Sequence, residues 1–137
     1  MDETIAAETA GAVSGGVRRL LRLEGLALFT GMTLLYAVSG GSWWLFAILF
    51  LAPDLSFAAY LAGPTAGAFV YNAAHSTLAP LVLMAAGFAL ASPLMLPVAL
   101  IWLAHIGIDR ALGYGLKYSA GFAFTHLGRV GRDASAT

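Results

Sequence analysis

The sequence predicts an all-α fold: an integral membrane four-helix up-down bundle with a short cytoplasmic C-terminal tail. Three observations predict it. Of 137 residues, 60% are hydrophobic and only 10% are charged, whereas a soluble domain carries about a quarter charged residues. Four apolar segments approach the roughly 20 residues that cross the hydrocarbon core. The loops between them are only a few residues long, so neighbouring spans must run antiparallel.

The elements follow in order. Residues 1–17 read as a flexible, Gly-rich lead, and residues 18–118 as the four-span domain. The first span covers about 20–38 and is stopped by Ser39-Gly40-Gly41. Tyr36-Ala37-Val38-Ser39 loosely resembles a signal cleavage site, but the acidic lead and the Glu24 interruption favour a retained helix. The second span covers about 43–61, with Pro53 and Asp54 interrupting it. The third covers about 65–91, introduced by Gly63-Pro64, and the fourth about 93–112, ended by Gly113 and Gly115. Gly after a helix and Pro near its start are the expected punctuation. Residues 119–137 form the tail. Its aromatics, glycines and His126 are too irregular for a fifth span, and it either folds back as a lid or lies on the membrane surface.

Charge sets the orientation. Arg18, Arg19 and Arg22 flank the start of span one, and Arg110, Lys117, Arg129 and Arg132 lie at or beyond the end of span four. The loops around Gly40 and Ser92 carry no positive charge, so both termini are expected in the cytoplasm. Trp43 and Trp44 read as an interfacial anchor on the opposite face. Zero cysteines exclude disulfides and thiolate chemistry. A net charge of zero with few basic residues argues against nucleic acid. The lipid bilayer is the expected partner, with a homo-oligomer left open.

Depth sorts the polar residues. At about 1.5 Å of rise per residue, Glu24 lies roughly 5 Å inside the cytoplasmic end, Asp54 roughly 10 Å and His75 roughly 15 Å. His105 and Asp109 lie roughly 10 and 5 Å inside. All fall in the cytoplasmic half although the helices alternate in direction. Such groups normally face the bundle interior or an aqueous cavity. His105 and Asp109 are i,i+4 neighbours, and Gly67, Tyr71 and His75 share one face of span three. The spaced pairs Gly63/Gly67 and Ala27/Gly31 are candidate points of close helix approach.

The blocks LAPDLSFAAYLAGP (51–64), VYNAAHSTLAP (70–80) and AHIGIDRALGYGLKY (104–118), continued by GFAFTHLGR (121–129), resemble a bacterial membrane family, domain of unknown function 4260. The resemblance covers roughly residues 22–131. It implies a four-span architecture in a bacterial inner membrane, with Asp54, Tyr71, Asn72, His75, His105, Asp109, Tyr114, Lys117, Thr125 and His126 on matching positions. It implies no activity. Family members often carry a charged pair where this chain has Ala123 and Phe124.

Three chemistries compete for these residues. Two imidazoles and two carboxylates (Asp54, His75, His105 and Asp109) suit one divalent zinc, manganese or iron ion. A water held there would be activated for a metal-dependent membrane hydrolase or other lipid-modifying reaction. Tyr71, Asn72, Lys117 and His126 would then bind substrate, Lys117 holding an anion. Haem between His75 and His105 is a weaker fit. The same groups could instead relay protons in a small carrier. They could equally be hydrogen-bonded glue in an accessory subunit without chemistry, with Asp109 paired to Arg110 at the surface and Glu24 to Arg22 or the tail.

Overall fold

The computed structural model describes residues 3 and 10–131. Four helical stretches long and apolar enough to cross a membrane pack together: Gly15–Val38, Trp43–Ala62, Pro64–Ala89 and Met95–Leu112. The all-α bundle expected from hydropathy is the one observed. Resolved into elements, these are α1 (Gly15–Val38), α2 (Trp43–Phe50), a 3₁₀ helix (Ala52–Ala62), α3 (Pro64–His75), α4 (Leu78–Ala89) and α5 (Met95–Leu112). A two-stranded antiparallel hairpin follows, β1 (Phe124–Thr125) and β2 (Gly128–Arg129).

α5 is the central helix, buried along Ala99–Ile101 and Leu103–Gly107. α1 lies against it, and glycine sets how close it comes. A Cβ on Gly25 would fall 2.8 Å from the Gly107 carbonyl, and one on Gly107 would fall 2.8 Å from the Gly25 carbonyl. Backbone meets backbone there, as small residues allow between membrane helices. This contact corrects the sequence expectation: Gly31 and Gly63 have open space where a side chain would go. Gly67, by contrast, is used, because the Tyr60 ring occupies the place of its side chain.

α1 begins at Gly15, five residues before the expected Leu20, and Val13 N–H donates to the His126 carbonyl at 2.9 Å. The half of the bundle away from the tail has an apolar core of Tyr36, Leu100 and Ile101, packed by Phe46, Phe50 and Met84 among others. Trp43 and Trp44 are exposed beside it.

Two departures from four uninterrupted helices shape the half nearer the tail. The second stretch abandons the α-helix after Phe50. Pro53 has no N–H to give, and Asp54 N–H bonds Leu51 O at 3.1 Å, three residues back instead of four. The ensuing 3₁₀ run of 11 residues is long for a conformation that rarely exceeds 3–4 residues. The third stretch breaks at Ser76 and Thr77, where Ser76 is extended (φ −79°, ψ 144°). Pro80 cannot donate to the Ser76 carbonyl, so an unbroken helix would lose that bond in any case. The carbonyls exposed by the break are satisfied from α5: Trp102 Nε1 donates to Ala74 O at 2.6 Å, and Arg110 Nη2 to His75 O at 3.3 Å. Irregular backbone at membrane depth needs such partners.

The 3₁₀ helix and α3 form an antiparallel hairpin turned at Gly63 (φ 114°). Three 3₁₀ residues rise about 6 Å at 2.0 Å each, and four α residues also rise about 6 Å at 1.5 Å each. Side chains at i and i+3 eclipse in a 3₁₀ helix, so Asp54, Phe57 and Tyr60 stand in one row opposite His75, Tyr71 and Gly67. The pairing is observed at each rung: Tyr60 on Gly67, Phe57 stacked on Tyr71 at 5.3 Å, and Asp54 facing His75 at 3.5 Å. The faster rise also removes the sequence mismatch in depth. Asp54 moves from roughly 10 to roughly 14 Å above Leu61, level with His75.

Candidate metal centre

Asp54, His75, His105 and Asp109 come from three helical stretches and meet at one point. His75 Nε2 lies 3.2 Å from His105 Nε2. Asp54 Oδ1 is 3.5 Å from His75 Nε2 and 3.4 Å from His105 Nε2. Asp109 Oδ2 is 3.4 Å from each imidazole. All four donor atoms lie within 4.8 Å of one another. Metal bonds of 2.0–2.1 Å in tetrahedral geometry would separate ligand atoms by about 3.4 Å. Five of the six separations therefore match the edges of one coordination polyhedron. The group could hold a metal ion.

Hydrogen bonding points the His75 lone pair inward. His75 Nδ1 is 2.9 Å from the Tyr71 carbonyl; a carbonyl only accepts, so Nδ1 carries the proton and Nε2 faces the cluster bare. Metal-ligating histidines are commonly oriented this way, through the other ring nitrogen. His105 Nδ1 has no hydrogen-bond partner among the described residues, and the Phe50 carbonyl lies behind the ring. That carbonyl is available because Asp54 N–H, its partner in an α-helix, has turned to Leu51. One proline thus releases the acceptor behind His105 and swings Asp54 into line.

Both histidines are 2% exposed. The Tyr71 ring stacks on His75 with centroids 3.8 Å apart and planes at 10°, and Phe50 meets His105 edge-on at 5.4 Å. Each imidazole thus packs against an aromatic ring. Asp54, at 37% side-chain exposure against 17% for Asp109, is the open side of the cluster. Asp109 faces the histidines, so it is not half of a surface pair with Arg110. Nor does the site offer a haem slot: a porphyrin would have to pass between nitrogens 3.2 Å apart with carboxylates on both flanks.

The tail folds back onto this end of the bundle. Asn72 grips it at two points, its amide nitrogen donating to Lys117 O at 2.8 Å and its oxygen accepting from Lys117 N–H at 2.6 Å. The Lys117 side chain is 3% exposed, with Nζ 3.9 Å from the Phe122 ring centre and 5.1 Å from that of Tyr71. Burial pushes its pKa down to about 8, against the pull of Asp109. His126 Nδ1 accepts from Leu116 N–H at 2.9 Å, so its own proton sits on Nε2, facing Arg110 Nη1 at 3.5 Å. Burial and then the guanidinium charge hold His126 below its ordinary pKa. Thr125 donates to Gly128 O at 2.7 Å and accepts from Leu127 N–H, closing the hairpin.

The eight residues singled out from sequence therefore divide in two. Four converge as donors. Tyr71, Asn72, Lys117 and His126 buttress the cluster or latch the tail, and Asn72 has both ends of its amide engaged. Glu24 is left out, exposed beside a separate pocket that Arg110 also lines, while Arg22 donates to Ala111 O at 2.8 Å. Sequence reading missed Phe50, Phe57 and Trp102, apolar or aromatic residues on apolar helices that nothing in the pattern distinguishes from lipid-facing neighbours.

Among known families, the model described as "Domain of unknown function (DUF4260)" matches residues 18–130. No curated protein and no solved structure matches the chain.

Proposed function

Because the chain belongs to the DUF4260 family, whose model spans all four donors, we propose that it is a multi-pass membrane enzyme built around one divalent metal ion. Asp54, His75, His105 and Asp109 hold the ion. The observation that carries this reading is the convergence of two imidazole Nε2 atoms and two carboxylates at 3.2–3.5 Å. Four electron-rich donors so close in a low-dielectric site repel unless a cation sits among them. A proton serves two of them at a time, whereas a metal ion serves all four. Imidazole with carboxylate suits zinc, manganese or iron, and the near-tetrahedral edges favour zinc.

Such an ion supplies a water of lowered pKa and polarises a carbonyl or phosphoryl oxygen. The residues do the rest. His75 and His105 are fixed by aromatic packing, His75 also by a backbone acceptor, Asp109 is held on α5 one turn from His105, and the more exposed Asp54 leaves the side from which substrate and water enter. The reaction is a hydrolysis or related modification of a lipid, at the cytoplasmic side of a bacterial inner membrane. The arginines of the α1 start and the tail share that end. Lys117, buried without a hydrogen bond among the described residues, supplies the cation for an anionic substrate group when the tail shifts.

The test is elemental analysis of protein purified in detergent, beside an Asp54→Ala, His75→Ala double variant. Near-stoichiometric zinc, manganese or iron that disappears in the variant is expected. Native protein that stays metal-free after reconstitution with these ions would overturn the reading.

The 3.2 Å approach of the two imidazoles favours a second reading, a proton shared between them in a small carrier. The half away from the tail, packed by Tyr36, Leu100, Ile101 and aromatic rings, offers such a carrier no polar path among the described residues. Proton flux into liposomes, abolished by His75→Ala, would support it.

A further inference from the structure

Beside the cluster lies a pocket of about 270 Å³ lined by Leu49, Pro53, Ser56, Ala74, Val98 and Trp102, with Ala52 exposed at its rim. Two of its walls are chain neighbours of donors: Pro53 precedes Asp54, and Ala74 precedes His75. Leu49, Val98 and Trp102 lie beyond the cluster from the tail end, toward the middle of the bilayer. The wall is fixed, because Trp102 donates to the Ala74 carbonyl at 2.6 Å. Its lining is apolar except for the Ser56 hydroxyl, a buried oxygen with no hydrogen-bond partner.

We propose that this pocket takes the acyl chain of an amphiphile whose polar group reaches Asp54, His75, His105 and Asp109. The proposal deepens the metal-enzyme reading and rests on it. Two observations carry it. Pro53 and Ala74, which line the pocket, adjoin the cluster residues Asp54 and His75 in the chain. From that level the pocket runs past Leu49, Val98 and Trp102 toward the bilayer centre, the direction a lipid chain takes from its headgroup. A water-soluble polar substrate would find no partner along Leu49, Val98 and Trp102, whereas an alkyl chain gains close packing there.

Alkyl hydroxamates test this, because one head ligates the metal while the chain length varies. Protein loaded with Co²⁺ in phosphatidylcholine nanodiscs is titrated with acetohydroxamate and decanohydroxamate, the visible cobalt absorption reporting ligation. Both compounds are expected to shift the spectrum, the longer binding at least about tenfold more tightly. Val98→Trp, which fills the pocket, is expected to keep acetohydroxamate binding and lose the chain-length preference. Phe88→Trp, on an exposed position of α4, keeps both and controls for partitioning into the bilayer. Ala52→Phe at the rim repeats the test should Val98→Trp not fold. Identical chain-length dependence in all variants would overturn the pocket and leave the metal reading intact. Failure to retain cobalt, or no response to acetohydroxamate, would remove the metal reading and this proposal together.

Discussion

At the scale of single residues, the centre depends on where each imidazole keeps its proton. His75 Nδ1 donates a hydrogen bond to the Tyr71 carbonyl, one turn earlier on α3, so the helix that carries the imidazole also orients it. His105 has the Phe50 carbonyl of another helix behind it. Single substitutions should therefore be graded. His105→Ala or Asp109→Asn removes a donor outright and is expected to weaken zinc affinity by more than the roughly 10–100-fold typical of lost supporting contacts. Tyr71→Leu removes only the ring stacked on His75 and should fall within that range. Competition titration with a zinc chelator measures both. Equal affinities for wild type and Asp109→Asn would take Asp109 out of the ligand set. Asn72→Ala tests the latch rather than the ligands: losing two hydrogen bonds to Lys117 should cost the tail about 1–3 kcal/mol of docking, read as faster proteolysis after Leu112 with zinc affinity much less changed.

At the scale of elements, the 3₁₀ helix is the part that a regular bundle would lack. It puts Asp54, Phe57 and Tyr60 in register with His75, Tyr71 and Gly67 because the two rises match. Pro53→Ala restores an N–H and favours an α-helix locally, which would return Asp54 N–H to Phe50 O, rotate Asp54 away and withdraw the acceptor behind His105. Zinc affinity is expected to fall at least about tenfold, as with other supporting contacts, with no loss of thermal stability. Unchanged affinity would mean that tertiary packing alone sets the 3₁₀ run. The α1–α5 seam makes the opposite kind of demand. Gly107→Ala places a Cβ 2.5 Å from the Phe29 backbone nitrogen, and overpacking of this sort typically costs about 1–3 kcal/mol. A lowered unfolding midpoint in detergent would register it.

At the scale of the whole molecule, the tail ties the start of α1 to the end of α5 and packs against the same end of the bundle as the cluster. The tie has a pH dependence. His126 is held below its ordinary pKa by burial and by Arg110, so between the two values the unfolded chain binds more protons than the folded one. The stabilising contribution is present above about pH 6.5 and is lost as pH falls through the lowered folded value. Protonation also places a hydrogen on Nδ1, where Leu116 N–H now donates. Proteolysis of segment 113–131 in nanodiscs should accelerate from pH 7.5 to pH 5, and His126→Gln should flatten the response. A tail equally protected at both pH values would mean that Asn72 and Lys117 hold it unaided.

The sequence by itself determined the solvent, the number of spans and the four residues of the His/Asp cluster. So little charge on so apolar a chain leaves only lipid as surroundings, and ionisable residues inside such spans are costly unless they find one another. It also marked Pro53 as an interruption without saying what the interruption does. Tertiary structure decided the rest. Whether a proline yields a kink or an 11-residue 3₁₀ run depends on the helix opposite, here α3 with its matching 6 Å repeat. Which glycines permit close approach depends on which helices touch, so Gly25 and Gly107 could not be told from Gly31 by spacing. The break after His75 is tolerated because Trp102 and Arg110, about thirty residues away on α5, satisfy its carbonyls. Composition reports on the environment that a chain needs. Partners distant in sequence decide where its polar groups end up.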